Sequence, residues 1–103
     1  MNALLAVRTE FARYRRQVEL AIAQVAAADL DRRLDADANS IAILLRHLSG
    51  NLRSRFTDFL DSDGEKPWRE RDREFEDRRL PVPHVLELWE QGWSVLRATL
   101  DSL

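Results

Sequence analysis

The chain has 103 residues, 45% apolar and 33% charged, with 16 basic residues against 18 acidic ones for a net charge of −2. That length suits one domain and one core, residues 1–103, and the balanced charge argues against a nucleic-acid protein, whose phosphate contacts need a basic excess on one face. The absence of cysteine removes disulfides, thiolate ligands and a cysteine nucleophile together, and it suits the cytoplasm.

The first predicted element is a helix from about residue 3 to 28. Leu4, Val7, Phe11, Tyr14, Val18, Ala21 (or Ile22) and Val25 recur at alternating spacings of three and four, which marks a helix seam. Its opening Met1-Asn2-Ala3-Leu4-Leu5-Ala6-Val7-Arg8 has no basic leader or cleavage site and runs straight into that seam, so it does not read as a signal peptide. No stretch approaches the ~20 apolar residues that span a bilayer, and no membrane is expected as a partner. Arg13, Arg15 and Arg16 have Glu10 and Glu19 a turn away, the pattern of a solvated face with i,i+4 pairs.

The stretch Asp29 to Asn39 mixes acids with Leu30 and Leu34 and reads as a connector with room for one helical turn. Asn39 and Ser40 are good N-caps, since a side-chain oxygen can accept a free amide of the next turn. A second helix of about residues 40–60 follows, with Ile41, Leu44, Leu45, Leu48, Leu52, Phe56, Phe59 and Leu60 as its apolar positions. Asp61-Ser62-Asp63-Gly64 stops it. From Asp61 to Leu80 comes a connection with eight acids and six bases. Helix connections usually take about 2–8 residues, so this one allows a crossover that sets the next helix parallel to the second.

Pro81-Val82-Pro83 opens a third long helix, about residues 82–102, because proline is tolerated in a first turn. Leu86, Trp89, Trp93, Leu96 and Leu100 form one stripe on it, and Val85, Leu88, Gly92, Val95 and Thr99 a second beside it. Two adjacent stripes predict a helix packed on two sides, with Leu88, Trp89, Val95 and Leu96 as interface residues for a second polypeptide. That partner is either a twin chain, giving a homodimer, or a helix supplied in trans.

The stretch Asn39-Ser40-Ile41-Ala42-Ile43-Leu44-Leu45-Arg46-His47-Leu48-Ser49-Gly50-Asn51 resembles the DinB-like superfamily, the damage-inducible and YfiT-like metal-binding bundles. So do Thr57 to Arg69 with Arg71-Asp72, and Leu86-Glu87-Leu88-Trp89-Glu90-Gln91-Gly92-Trp93. The resemblance is to a small bacterial subfamily of unknown function and extends over essentially the whole chain. It implies an all-α four-helix bundle with an up-down-down-up path and a long crossover between helices 2 and 3, of which this chain carries three helices, completed by dimerisation. It also implies a divalent metal, zinc or nickel, held by three histidines. One lies in a basic-His-Leu-small-Gly setting that Arg46-His47-Leu48-Ser49-Gly50 matches, and two sit four apart on a fourth helix. This sequence has neither that helix nor a His-x-x-x-His, so the resemblance makes His47 the metal ligand and leaves the set incomplete.

His84, after Pro83, matches no ligand of the superfamily. A two-histidine site with Asp35 or Asp37 is the remaining arrangement. Asn51 shares a polar stripe with His47, and Trp68 and Arg69 stand in the crossover, Trp68 placed either to pin the loop or to close a pocket. Arg69, Arg71 and Asp72 read as an ion-pair cluster. Ser49, Ser54 and Thr57 have no partner at a nucleophile–base spacing, and no glycine-rich phosphate loop is present. Two functions follow. One is an interaction module that dimerises. The other is a metal-dependent hydrolase or thiol-cofactor transferase, as some superfamily members are, with its site built across the dimer around His47.

Overall fold

The computed structural model describes residues 3–33, 39–76 and 80–103. Among them the regular structure is all helical, with α1 Ala3–Ala23, α2 Ile41–Phe56, α3 Arg71–Glu74 and α4 Val82–Ser102, and a 3-10 turn Ala27–Asp29 after α1. Leu34, Asp35 and Asp37 lie outside the described residues.

Each long helix ends for a local reason. The connector after α1 folds inward at Leu30, which is buried in the core, and its carbonyl accepts the Ala42 amide at 2.9 Å. Ser40 caps α2, its hydroxyl accepting the Ile43 amide at 3.1 Å. Two of the amides that a helix start leaves free are satisfied in this way. α2 stops at Phe56, earlier than the apolar spacing predicts, because Thr57 is extended and Asp58 adopts a left-handed φ of 49°. Aspartate tolerates that conformation better than most residues. The turn leaves Phe59 and Leu60 outside the helix and exposed, with Phe59 stacked on Phe56 at 5.6 Å. Pro83 sits in the first turn of α4, where a missing amide costs nothing.

α2 and α4 run parallel. Gly92 faces Ser49 and Leu52, and Thr99 donates its hydroxyl to the Phe56 carbonyl at 2.6 Å, so paired positions keep a constant offset of 43. α1 runs antiparallel to both. Arg8 near its start binds Asp101 at 2.8 Å and the Leu100 carbonyl at 2.6 Å, while Glu19 near its end accepts the Trp89 indole N–H at 3.1 Å. The path is up-down-down, as the long crossover allows.

The core is made mostly by α2 and α4: Ala42, Leu45, Leu52, Val85, Trp89, Trp93, Leu96 and Leu100, joined by Leu30. α1 closes one side with Leu4, Phe11, Val18 and Ile22, all half-buried. Phe11 meets Phe56 and Trp93 edge to face, at 6.1 and 6.3 Å between centroids. Val7 and Tyr14, at seam spacing in the sequence, are exposed because the seam is wider than the strip that α1 covers.

Trp89 and Leu96, two of the four residues predicted at a second polypeptide, lie inside this core with 3% and 1% of their surface exposed. Leu88 and Val95 are half-buried. The two stripes of α4 are thus covered largely from within the chain, one by α2 and one by α1. A predicted outer face becomes an inner one because a 21-residue helix upstream lies across it.

Candidate functional site

One face of α2 holds the crossover. A helix repeats about every 3.6 residues, so Arg46, His47, Gly50, Arg53 and Ser54 line a single strip. The crossover bonds to that strip in order. Ser54, fully buried, donates to the Gly64 carbonyl at 2.6 Å and accepts the Lys66 amide at 3.2 Å. The ammonium of Lys66, a residue 9% exposed, donates to the carbonyls of Ser54, at 2.7 Å, and of Asp63. Two carbonyl acceptors offset part of what burying a charge costs. Trp68 then lies under Arg53, whose guanidinium carbon is 5.2 Å from the ring centroid.

Farther along, the crossover forms α3, and Glu74 is its anchor. Arg69 donates to both Glu74 oxygens, from Nε at 3.2 Å and Nη2 at 3.0 Å. This fork is the strong form of an arginine–carboxylate contact. The Arg69 side chain is 6% exposed and that of Glu74 13%. His47 Nδ1 lies 3.2 Å from Glu74 Oε1, and the imidazole packs on Phe75 at 4.6 Å between centroids. Beside it Arg46 donates to the carbonyls of Arg73, at 2.8 Å, and of Glu76. These are carbonyls at the end of α3, where a cation is favoured. Gly50 leaves room for the carboxylate: a Cβ there would stand 1.9 Å from Glu74 Oε2.

Arg46-His47-Leu48-Ser49-Gly50 is therefore divided between two tasks. Arg46, His47 and Gly50 receive the crossover, and Ser49 faces α4, its Cα 3.2 Å from where a Gly92 side chain would begin. Leu48 is 42% exposed.

The cluster does not fit a divalent metal. The carboxylate nearest His47 is already neutralised by Arg69, whose guanidinium would stand against a second cation at the same oxygens. Among the described residues no three His, Cys, Asp or Glu side chains come together as a metal-holding group. His84 is exposed on α4. The offset of 43 between the parallel helices sets it level with Ile41, about 9 Å along the axis from His47. Asp35 and Asp37 fall outside the described residues.

The structure brings Trp68 and Arg69 together at a cleft of about 220 Å³ between α2 and α3, lined also by Arg46, Gly50, Arg53, Glu70, Arg73 and Glu74. Asn51 is half-buried on α2 and does not line that cleft. Of the predicted ion-pair cluster only Arg69 has a role here, and its partner is Glu74 rather than Asp72. Glu74 was not legible as a site residue, since nothing local sets it apart from Glu70 or Glu76. The sequence did carry one signal in Gly50, a glycine placed inside a helix at a cost in helix propensity, where the missing side chain can admit another group.

A second, largely apolar cavity of about 320 Å³ lies between α1 and α4, where Arg8, Phe11, Arg15, Trp93 and Arg97 line it. Its rim is tied by ion pairs. Arg15 binds Glu19 at 2.7 Å and also Glu90, and it lies 5.6 Å over the Trp93 ring. The hydrogen bond from Arg15, with the Trp89 indole adding to it and partial burial opposing, holds the Glu19 carboxyl below the usual carboxylate value. Among the described residues no helix is long and apolar enough to cross a membrane.

The family model that matches this chain covers residues 1–103 and is described as a protein of unknown function (DUF1572). No curated protein and no solved structure matches the chain.

Proposed function

The chain belongs to the DUF1572 family of proteins of unknown function, and from that premise we propose that it is a DinB-like helical interaction module that pairs with a second copy of itself. One observation carries this reading: α1 has 21 residues and none of them is buried. Helices of that length owe most of their stability to tertiary packing, and α1 receives it along a half-buried strip only. The flank of α1 bearing Arg8, Arg15 and Glu19 meets α4, while Val7 and Tyr14, 41% and 51% exposed, stand on the other flank.

On α2 the crossover takes one side and α4 another. Leu44 and Leu48, one turn apart, occupy what remains and are 44% and 42% exposed. A twofold arrangement lets one apolar flank cover its own copy, so no second gene product is required. The up-down-down path and the long crossover support the DinB-like frame. The crossover bonds made by His47 and Glu74 favour an architectural role over metal-dependent catalysis.

Native mass spectrometry of the purified protein tests the proposal. The expected species is a metal-free dimer, and changing Val7 and Tyr14 together to glutamate should yield monomer with the helical content retained. A monomeric unchanged protein overturns the module reading. A dimer carrying stoichiometric zinc or nickel, lost in His47→Ala, would replace it with a metal enzyme assembled across the dimer.

A further inference from the structure

The cleft between α2 and α3 has a property that fastening the crossover does not require. Among its lining residues are four arginines, 46, 53, 69 and 73, and two glutamates, 70 and 74, a surplus of two positive charges. Both glutamates already have arginine partners. Glu74 is held by Arg69, and Glu70 lies 3.3 Å from Arg73. Arg46 is occupied by two backbone carbonyls. Arg53 differs. It is half-buried and stacked on Trp68, and among the described residues its guanidinium has no hydrogen-bond acceptor and no carboxylate partner. A guanidinium presents a rigid fork of donors suited to carboxylate or phosphate oxygens, and at this cleft wall the fork is left available to a ligand.

We propose that this cleft binds a small phosphorylated molecule, the phosphoryl group taken by Arg53 and the organic part laid along Trp68. Charge selects phosphate over carboxylate. A phosphomonoester is close to a dianion above its second pKa of about 6, which matches the surplus of two, whereas a carboxylate would leave one charge uncompensated. Size sets the scale of the organic part. The cleft of about 220 Å³ is below the ~300–1,000 Å³ of pockets that take drug-sized ligands, so it has room for a phosphoryl group and a few carbon atoms or one ring. Trp68, which lines the cleft and is 48% exposed, offers apolar ring surface to the organic part.

Calorimetric titration of the unmodified protein with phenyl phosphate, inorganic phosphate and benzoate tests this at pH 7.5. Phenyl phosphate should bind best, with a Kd in or below the millimolar range, inorganic phosphate more weakly for want of the ring, and benzoate weakest. Arg53→Gln should lower phenyl phosphate affinity by about tenfold or more, and Arg53→Lys by less, because the charge survives without the fork. Arg53→Gln should still unfold within a few degrees of the parent, since the guanidinium makes no hydrogen bond or ion pair among the described residues and its stacking on Trp68, an exposed ring, contributes little. Arg97→Gln, on the far side of α4, should bind as the parent does. The proposal is overturned if phenyl phosphate gives no heat up to about 10 mM. It is also overturned if benzoate binds as tightly, or if the Arg53 and Arg97 variants behave alike.

Discussion

The carboxylate of Glu74 occupies the space that a side chain on residue 50 would take, its Oε2 1.9 Å from the ideal Cβ position of Gly50. This contact gives a mutation whose sign depends on its partner. Alanine in a helix interior is ordinarily about 1 kcal/mol better than glycine. Gly50→Ala should nevertheless destabilise the protein, by about 1–2 kcal/mol, because it pushes Glu74 off Arg69 and His47. With Glu74→Ala in the background, Gly50→Ala should instead stabilise by about 0.5–1 kcal/mol. Urea denaturation of the four proteins reads the cycle, and a destabilising Gly50→Ala in both backgrounds would refute the contact.

Glu74 is expected to matter more than His47. Glu74→Ala leaves the Arg69 guanidinium, 6% exposed, without its carboxylate, and loss of about 3 kcal/mol is the expected scale for an uncompensated inward charge. His47→Ala removes one contact from a carboxylate that keeps Arg69, and should cost about 1 kcal/mol. Hydrogen exchange should show faster amides in α3 for Glu74→Ala while α4 stays protected. Equal losses for the two variants would contradict this ordering.

Gly92 is a different kind of glycine. A Cβ there would meet Ser49 Cα and Ser49 O at 3.2 Å, and backbone atoms cannot swing aside as a side chain can. Gly92→Ala should therefore press α2 and α4 apart at this contact and cost about 1–3 kcal/mol despite its better helix propensity. Thermal unfolding followed by circular dichroism checks it. A raised midpoint would mean that the two helices tolerate wider spacing.

The docking of α1 should weaken in acid. The Glu19 carboxyl is held below its ordinary value by Arg15. A depressed carboxylate contributes stability above its unfolded pKa, and that stability is lost as pH falls through the folded one. Its effect is therefore complete above pH about 5 and declines from pH about 4 downward. The pair is partly solvated, with Glu19 44% exposed, so the effect is small, and it should be visible as a change in tryptophan fluorescence, since Glu19 bonds the Trp89 indole. Glu19→Gln should flatten that part of the acid profile, and an unchanged profile would assign the transition to other carboxylates.

Helix identity, order and polarity were legible in the sequence because they follow from local spacing and local caps. Ser40, Pro83 and the seams of α1, α2 and α4 each act within a turn or two of themselves. The parallel course of α2 and α4 was legible too, since a connection of some twenty residues makes it possible. Trp68 and Arg69 also stand out in the sequence, because tryptophan and arginine beside a proline are conspicuous in a charged loop, and both line the cleft between α2 and α3.

The use of those elements was decided only by tertiary structure. His47 and Glu74 are 27 residues apart, and no periodicity connects them. Their pairing exists because the left-handed turn at Asp58 returns the chain along the α2 face that Gly50 leaves open. Trp89 and Leu96 carry the same apolar signal whether a second polypeptide or α1 covers them, and hydrophobic spacing does not name its partner. Sequence determined which surfaces must be covered; the three-dimensional path determined what covers them, because burial is a property of neighbours that are distant along the chain.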